Sequence, residues 1–301
     1  MSMNIPVIPD SCSMNSVTVS CPAALSFLYK KCPNRDLTQK GSIGIGCTVE
    51  PGITVTAKHT DKNIIVWNGK PIRIPTILSA IQMLTDRFVE LSILSDLPLG
   101  YGFGLSGAST LASVYAINRL FNLKRSPEDL IKSAHIAEII NTTGLGTVGT
   151  LSTGGFLLKT ASGIPVFANR LPFERKILYA ILIGAMDTPG IINNSVQQEK
   201  INLAFDPIFL QLLNIQHPPT LNDIIDSSYK FEINAGIRMD PRVHDKIQTI
   251  IRMGNHATMA LFGRVVITTM KPQSSPYPVK ELTIVNRIVK IQHKRKGPLF
   301  N

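Results

Sequence analysis

The stretch from Pro98 to Ser109, Pro-Leu-Gly-Tyr-Gly-Phe-Gly-Leu-Ser-Gly-Ala-Ser, constrains the chain more than any other. Its glycines let the backbone come close to an anion. The segment that follows, Thr110 to Phe121, has helical apolar spacing through Leu111, Val114, Tyr115, Ile117, Leu120 and Phe121. The first N–H groups of such a helix are unpaired and lie at the positive end of its dipole, where a phosphate is stabilised. Ser106 and Ser109 add hydroxyls at that end. Phe88 to Ser95 reads as a strand leading into the loop, and strand, glycine loop and helix in that order are the setting of a phosphate cradle. Gly102, Gly104 and Gly107 also satisfy G-x-G-x-x-G, which by itself fits a dinucleotide turn or a flexible serine-capped turn equally well.

Upstream, Val17 to Cys21 alternates like a strand, Pro22 is expected to break it, and Ala23 to Tyr29 is apolar except for Ser26. A polar loop, Lys30 to Lys40, precedes a second glycine cluster, Gly41 to Gly46. Cys47 to Lys58 then reads as strand with a turn at Pro51-Gly52. Ile64 to Trp67 and Ile72 to Ile74 form an expected hairpin about Asn68-Gly69, a pair suited to a type I′ turn. Ile77 to Arg87 has helical period.

Downstream, Ser126-Pro127-Glu128-Asp129 starts a helix that runs to about Ile140, with a serine cap, a first-turn proline and carboxylates on the positive dipole end. His135 and Glu138, three apart, share a face of it and point to a pocket. Thr143 to Gly149 is again glycine-rich, and Gly154-Gly155 opens a strand, Phe156 to Lys159. Two prolines and a change of pattern place a domain boundary near residue 172. Beyond it come a strand at Ile177 to Ala185, a helical run at Ile192 to Leu213, and a further helix after Pro218-Pro219. Asp240-Pro241 caps a helix to Met253, Ala257 to Gly263 reads as a small-residue turn, and Arg264 to Met270 as a strand. Strands and helices mixed on this scale indicate an open α+β sandwich.

Composition narrows the function classes. At 44% hydrophobic and 17% charged residues the chain can bury a core and is not a disordered one. The longest apolar run, Ile177 to Met186, is too short to span a bilayer, and Met1 to Asp10 lacks a secretory pattern, so a cytoplasmic protein with no membrane partner is expected. Cys12, Cys21, Cys32 and Cys47 match no common zinc spacing and read as reduced thiols. The formal charge of +11 and the basic tail from Lys280 to Asn301 raise nucleic acid as a partner. Lys294-Arg295-Lys296 is short and lacks interleaved aromatics, so the tail reads as solvated, with no nucleic acid bound. A basic surface equally suits an enzyme of anionic substrates.

From about Val19 to Val266 several blocks in order resemble the GHMP superfamily of small-molecule kinases, which includes galactokinase, homoserine, mevalonate and phosphomevalonate kinases. The blocks are Pro98 to Ala108, Ala134-His135-Ile136-Ala137-Glu138 and Thr143-Gly144-Leu145-Gly146, with weaker support from Gly154-Gly155-Phe156, Pro241-Arg242-Val243 and Ala260 to Gly263. Within the superfamily the likeness is greatest to archaeal pantoate kinases. The resemblance implies an α+β fold in two domains. Residues 1–172 would form a ribosomal protein S5 domain 2-like ATP-binding domain with a left-handed β-α-β unit, and residues 173–301 a ferredoxin-like domain with a basic tail. It implies transfer of the ATP γ-phosphoryl to the primary hydroxyl of pantoate, a step toward coenzyme A. The ATP phosphates would meet Pro98, Gly100, Gly102, Gly104, Leu105, Ser106, Gly107, Ala108 and Ser109. Ser106 and Glu138 would hold Mg2+, and Ser42, His135 and Lys159 would contact the small-molecule substrate. A homodimer is left open.

The chain departs from that pattern at four places. Thr147 stands where the family has an aspartate, and a threonine is no general base near neutral pH. A loose phosphoryl-transfer transition state makes that loss a slowing of the step. Pro22-Ala23-Ala24-Leu25-Ser26 replaces Pro-x-His-Ile-Thr, Lys159 stands for an arginine and so lacks its bidentate fork, and Ile43 replaces a basic residue. A homoserine- or mevalonate-class kinase and a catalytically weakened nucleotide-binding protein remain the alternatives.

Overall fold

A computed structural model describes residues 15–186, 188–214, 218–237 and 239–292. Met1 to Asp10, Cys12 and Lys294-Arg295-Lys296 lie outside the described residues.

The fold is built on two long antiparallel strands, β1 (Ser16–Cys32) and β2 (Gly41–His59). Both run through the points where the sequence indicates interruption. Pro22 does not end β1, and Pro51-Gly52 makes no turn in β2. The register instead shifts between Cys21 and Ala23 and between Ser26 and Leu28, so each irregularity is taken up as a bulge. Proline is tolerated at such a point because no ladder donor is required of it. The glycine cluster Gly41 to Gly46 is itself strand: Gly44, at φ 142°, faces the second bulge, and a Cβ there would overlap the Leu28 carbonyl.

After β2 come β3 (Ile64–Trp67), β4 (Lys70–Pro71), α1 (Pro75–Leu84) and β5 (Val89–Ser95). Asn68 (φ 47°) and Gly69 (φ 80°) make the expected turn, but β4 has only two residues and Ile72 to Ile74 lies beyond it. Next are α2 (Leu105–Leu120), α3 (Pro127–Ile140), α4 (Thr147–Thr153), β6 (Phe156–Lys159) and β7 (Ala168–Leu171). α2 begins five residues before Thr110, directly after Gly104, whose left-handed φ of 62° lets the loop pass straight into the helix. Small residues on most of its faces let α2 lie against β1, β2, α1 and α3 at once. α3 starts with a capping box between Ser126 and Asp129. α4, which the sequence reading passes over, arises in the Thr143 to Gly149 stretch.

The remaining elements are β8 (Ile177–Gly184), α5 (Thr188–Asn193), α6 (Ser195–Leu213), α7 (Leu221–Asn234), α8 (Pro241–Arg252), β9 (Ala257–Met259), β10 (Arg264–Thr268), β11 (Val279–Ile284) and β12 (Lys290–Gln292). The helical run Ile192 to Leu213 is divided at Asn194, whose side chain accepts from Gln197 N and starts α6. Ala257 to Met259 is strand rather than turn, because it pairs with β10. The tail expected from Lys280 is not free at its start: Leu282 and Ile284 are buried in β11, which pairs with β2 and β8.

One sheet in the order β4-β3-β5-β2-β11-β8-β10-β9 results, with β6 and β7 attached to β2 and with β12 beside β1. The fold is mixed α+β. Residue 172 falls between β7 and β8. A main apolar core runs from Val17 to Val289, and a smaller one under α8 joins Ile181, Val243, Ile247, Ile250, Ala257, Met259 and Val266. Within this second half Glu232 of α7 is fully buried. Thr258 Oγ1 donates to its Oε1 at 2.8 Å and Met259 N to its Oε2 at 3.3 Å. Ser228, on the same helix, donates to Phe27 O of β1 at 2.8 Å. Burial raises the Glu232 carboxyl to about 8. Cys21, Cys32 and Cys47 are free thiols, and burial pushes those of Cys21 and Cys47 up. Among the described residues no helix is long and apolar enough to cross a membrane.

Candidate functional site

The loop from β5 to α2 is held from three sides. Phe103 O accepts from Ala24 N of β1 at 2.9 Å, and Gly100 O accepts from Met186 N, just past β8, at 3.0 Å. The turn after β9 closes against it: a Cβ on Gly102 would lie 2.9 Å from Leu261 O, and one on Gly263 would overlap the Tyr101 carbonyl. Gly100, Gly102 and Gly104 all have left-handed φ, 83°, 82° and 62°. The first helical backbone bond of α2 runs from Ala108 N to Gly104 O, so the N–H groups of Leu105, Ser106 and Gly107 come before the helical ladder.

These parts surround a cleft. Gly100, Gly102, Gly104, Leu105 and Ser106 line one side of it, Ser42, Gly144, Gly146, Thr147 and Lys159 the other, and Leu261 and Phe262 complete the lining. The structure therefore brings Ser42, Ser106, Thr147 and Lys159 together as expected. Pro98, Gly107, Ala108 and Ser109 do not line it. Ser109 is buried, and its hydroxyl donates to Ser106 O at 3.0 Å, inside the helix, because α2 starts earlier than its apolar spacing suggests.

His135 and Glu138 lie just behind the cleft wall, both buried. His135 Nε2 bonds the Lys40 carbonyl at 3.0 Å, which makes Nε2 the protonated nitrogen. Nδ1 has no partner, and burial lowers the pKa of the ring. The imidazole thus holds the entry to β2, where Gly41 and Ser42 begin, and does not line the cleft. Glu138 Oε2 accepts from Val148 N at 3.3 Å, and its other oxygen, Oε1, is buried without a partner. Burial raises its pKa, opposed by hydrogen bonds from the Thr147 side chain and Val148 N–H. A Cβ on Gly107 would lie 3.0 Å from that Oε1, so the carboxylate is set against the first turn of α2.

Thr147 joins the two sides. Its methyl occupies the space beside Gly104, where a Cβ would come within 2.7 Å, and its hydroxyl serves Glu138. Lys159 is buried, donates to Gly146 O at 3.1 Å and has its pKa lowered to about 8 by burial, an effect partly offset by Glu138. The point where a Cβ on Gly146 would sit is 2.6 Å from Lys159 Nζ and 2.9 Å from Ser42 Oγ, so the absence of a side chain there lets ammonium and hydroxyl converge. Thr76, Ser106 and Thr143 form a chain of hydroxyls, with Thr76 Oγ1 3.0 Å from Thr143 and 3.5 Å from Ser106. Thr76 carries no local sequence signal. Its role comes from α1 crossing the start of α2.

A magnesium ion takes oxygen ligands, keeps several waters, and is commonly held by one or two carboxylates with substrate phosphates. The unpartnered Glu138 Oε1 and the Ser106 hydroxyl beside the loop fit that donor set. Among the described residues no group of three His, Cys, Asp or Glu forms a metal centre of its own.

Residues 75–154, which hold the loop, α2, α3 and α4, match the family described as the GHMP kinases N terminal domain. That stretch is thus similar to the N-terminal domain of the GHMP kinases. The chain is similar to the pantoate kinase of Methanocaldococcus jannaschii, 26% identical over 262 residues that cover 84% of this chain and 92% of the relative. It is also similar to the pantoate kinase of Methanospirillum hungatei, 25% identical over 246 residues, 79% of this chain and 80% of the relative. A solved structure described as a phosphotransferase related to the CoA biosynthesis pathway shares the fold, with a TM-score of 0.79, 18% identity, and coverage of 92% of this chain and 98% of that one.

Proposed function

We propose that the protein transfers the γ-phosphoryl of ATP to the primary hydroxyl of pantoate. The observation that carries this reading is the buried, unpartnered Glu138 Oε1 set against the first turn of α2, at the foot of a glycine loop with three left-handed residues. Two pantoate kinases aligned over most of their lengths support pantoate as the acceptor.

In this reading the N–H groups at the start of α2 and the loop backbone would receive the triphosphate, and Ser106 and Glu138 would hold Mg2+. The ion would neutralise charge on the β- and γ-phosphates. The acceptor lies on the opposite wall, where Ser42 bonds it and the Lys159 ammonium meets its carboxylate. Lys159 also faces the charge that develops on the transferred group. No carboxylate lines the cleft at position 147, so positioning and charge neutralisation carry the reaction, as a loose transition state permits. Leu105, Leu261 and Phe262 add apolar lining to the cleft. Residues 1–172 would form the ATP-binding domain and residues 173–301 the second domain of a cytoplasmic enzyme.

A coupled assay of ADP release with pantoate, homoserine and mevalonate tests the proposal. Pantoate-dependent ADP release that needs Mg2+ is expected. Turnover of another alcohol in preference to pantoate, or ATP binding with no turnover on any acceptor, overturns it.

A further inference from the structure

The turn that carries Phe262 is closed on itself and on its neighbours. Gly263 N donates to Ala260 O at 3.0 Å, Ala260 N to Val265 O at 2.8 Å and Leu261 N to Ser26 O of β1 at 3.4 Å. Phe262 takes the third position of this turn at φ 66°, a left-handed conformation that normally falls to glycine or asparagine. For a bulky side chain it is costly. Strained residues of this kind cluster where the side chain they deliver is put to use.

What this turn delivers is an aromatic ring to the cleft. Phe262 and Tyr29 both line it, with ring centroids 5.1 Å apart. Gln198 Nε2 donates to the Tyr29 hydroxyl at 2.9 Å, and the Phe231 ring stands edge-on to Tyr29 at 6.4 Å. The hydroxyl is thus engaged by the protein, which fixes the ring. Gly44 of β2 pairs with Tyr29 of β1 on one side and with Lys159 of β6 on the other. An acceptor seated between them meets an ammonium on one side and two fixed rings on the other.

We propose that Tyr29 and Phe262 are specificity residues of the acceptor site: their rings receive the two methyl groups on the quaternary carbon of pantoate while its carboxylate lies at Lys159. A branched hydroxy acid is thereby chosen over an unbranched one. In pantoate a single carbon separates the carboxylate from the quaternary centre, so a cation and an apolar wall close together suit it. The proposal rests on the acceptor reaction assigned above.

The test compares full-length wild type, Phe262→Gly, Phe262→Asn and Phe262→Tyr on pantoate and on 2,4-dihydroxybutyrate, which keeps the carboxylate and the hydroxyls and has hydrogens in place of the methyls. Glycine and asparagine both suit the left-handed turn, so these variants remove the ring and keep the backbone, and melting curves check that they fold. Burying the methyls is expected to favour pantoate by about tenfold in kcat/KM for the wild type. In Phe262→Gly and Phe262→Asn that preference should shrink to about twofold, through a rise in KM for pantoate, while Phe262→Tyr keeps it. Equal use of the two acids by the wild type, an undiminished preference in either ringless variant, or a KM for ATP that rises as much as that for pantoate overturns the proposal. Failure of both ringless variants to fold makes the ring structural and overturns it as well. Calorimetry of the two acids reads the same preference without turnover. Tighter binding of pantoate that is lost with the ring, in the absence of pantoate-dependent ADP release, overturns the reaction alone. Equal binding of the two acids overturns the role of the rings.

Discussion

The carbonyl of Tyr101 occupies the space that a Cβ on residue 263 would need, so the glycine loop and the turn after β9 fit together only with glycine at 263. Gly263→Ala is expected to push the turn off the loop. Overpacking of this kind costs about 1–3 kcal/mol. Thermal melting should show that loss, and steady-state kinetics should show a rise in KM for ATP larger than that for the acceptor.

Glu138 presents one satisfied and one free oxygen at the start of α2. Glu138→Gln keeps the shape and removes the charge that a cation needs, so kcat is expected to fall by about a hundredfold or more, the scale of losing one transition-state charge contact. The same variant should fold more stably. The folded pKa of Glu138 is raised, so its contribution to stability is present below the ordinary carboxylate range and is lost as pH rises through the folded value. Denaturation of wild type and variant at neutral pH, without metal, checks the sign.

Glu232 gives a pH dependence away from the site. Its carboxyl is raised from 4.5 to about 8, so wild-type stability should decline as pH climbs from about 4.5 through about 8. Glu232→Gln, neutral at every pH and able to keep the contacts to Thr258 and Met259, should flatten that decline. A melting series across this range reads both.

Thr147 places a methyl against the loop and a hydroxyl on Glu138. Thr147→Asp supplies a proton acceptor at the position, and kcat on pantoate should rise several-fold, less than the hundredfold or more of typical general-base catalysis because the transition state is loose. A second carboxylate beside Glu138 should at the same time lower the melting temperature. Equal kcat in both proteins would show that the transfer gains nothing from a base there.

Lys159 titrates near the working range. Its pKa is lowered to about 8, so the free enzyme loses this ammonium as pH rises past that value, and KM for pantoate should climb above about pH 8 while KM for ATP stays flatter. Lys159→Met should show a high KM at all pH values.

Most of the loop geometry is legible from residues 98–109 because glycine spacing and a following helix state a backbone geometry directly. The start of α2 is not, since its first turn is small and polar and carries no apolar period; Ser109 was therefore assigned to the cleft when it is folded into the helix. Pro22 and Pro51 read as breaks because a bulge depends on the partner strand, which a single segment does not reveal. Ser42, Thr147 and Lys159 lie far apart in sequence, and only the resemblance, not local pattern, joined them. His135 and Glu138 share a helix face as their spacing indicates. Whether that face meets the cleft or its supporting wall is decided by β2 and α4, which cover it.

The position of β11 sets the order in which the sheet can be finished. β2 and β8 are separated by about 120 residues of chain, and the strand between them is residues 279–284. During synthesis the middle of β2 and the edge of β8 wait for a partner until residues 279–284 have left the ribosome, and β12 then pairs with β1. A truncation before residue 284 removes more than a peripheral element: it leaves two strands from opposite halves with exposed edges, a geometry that invites pairing with other chains.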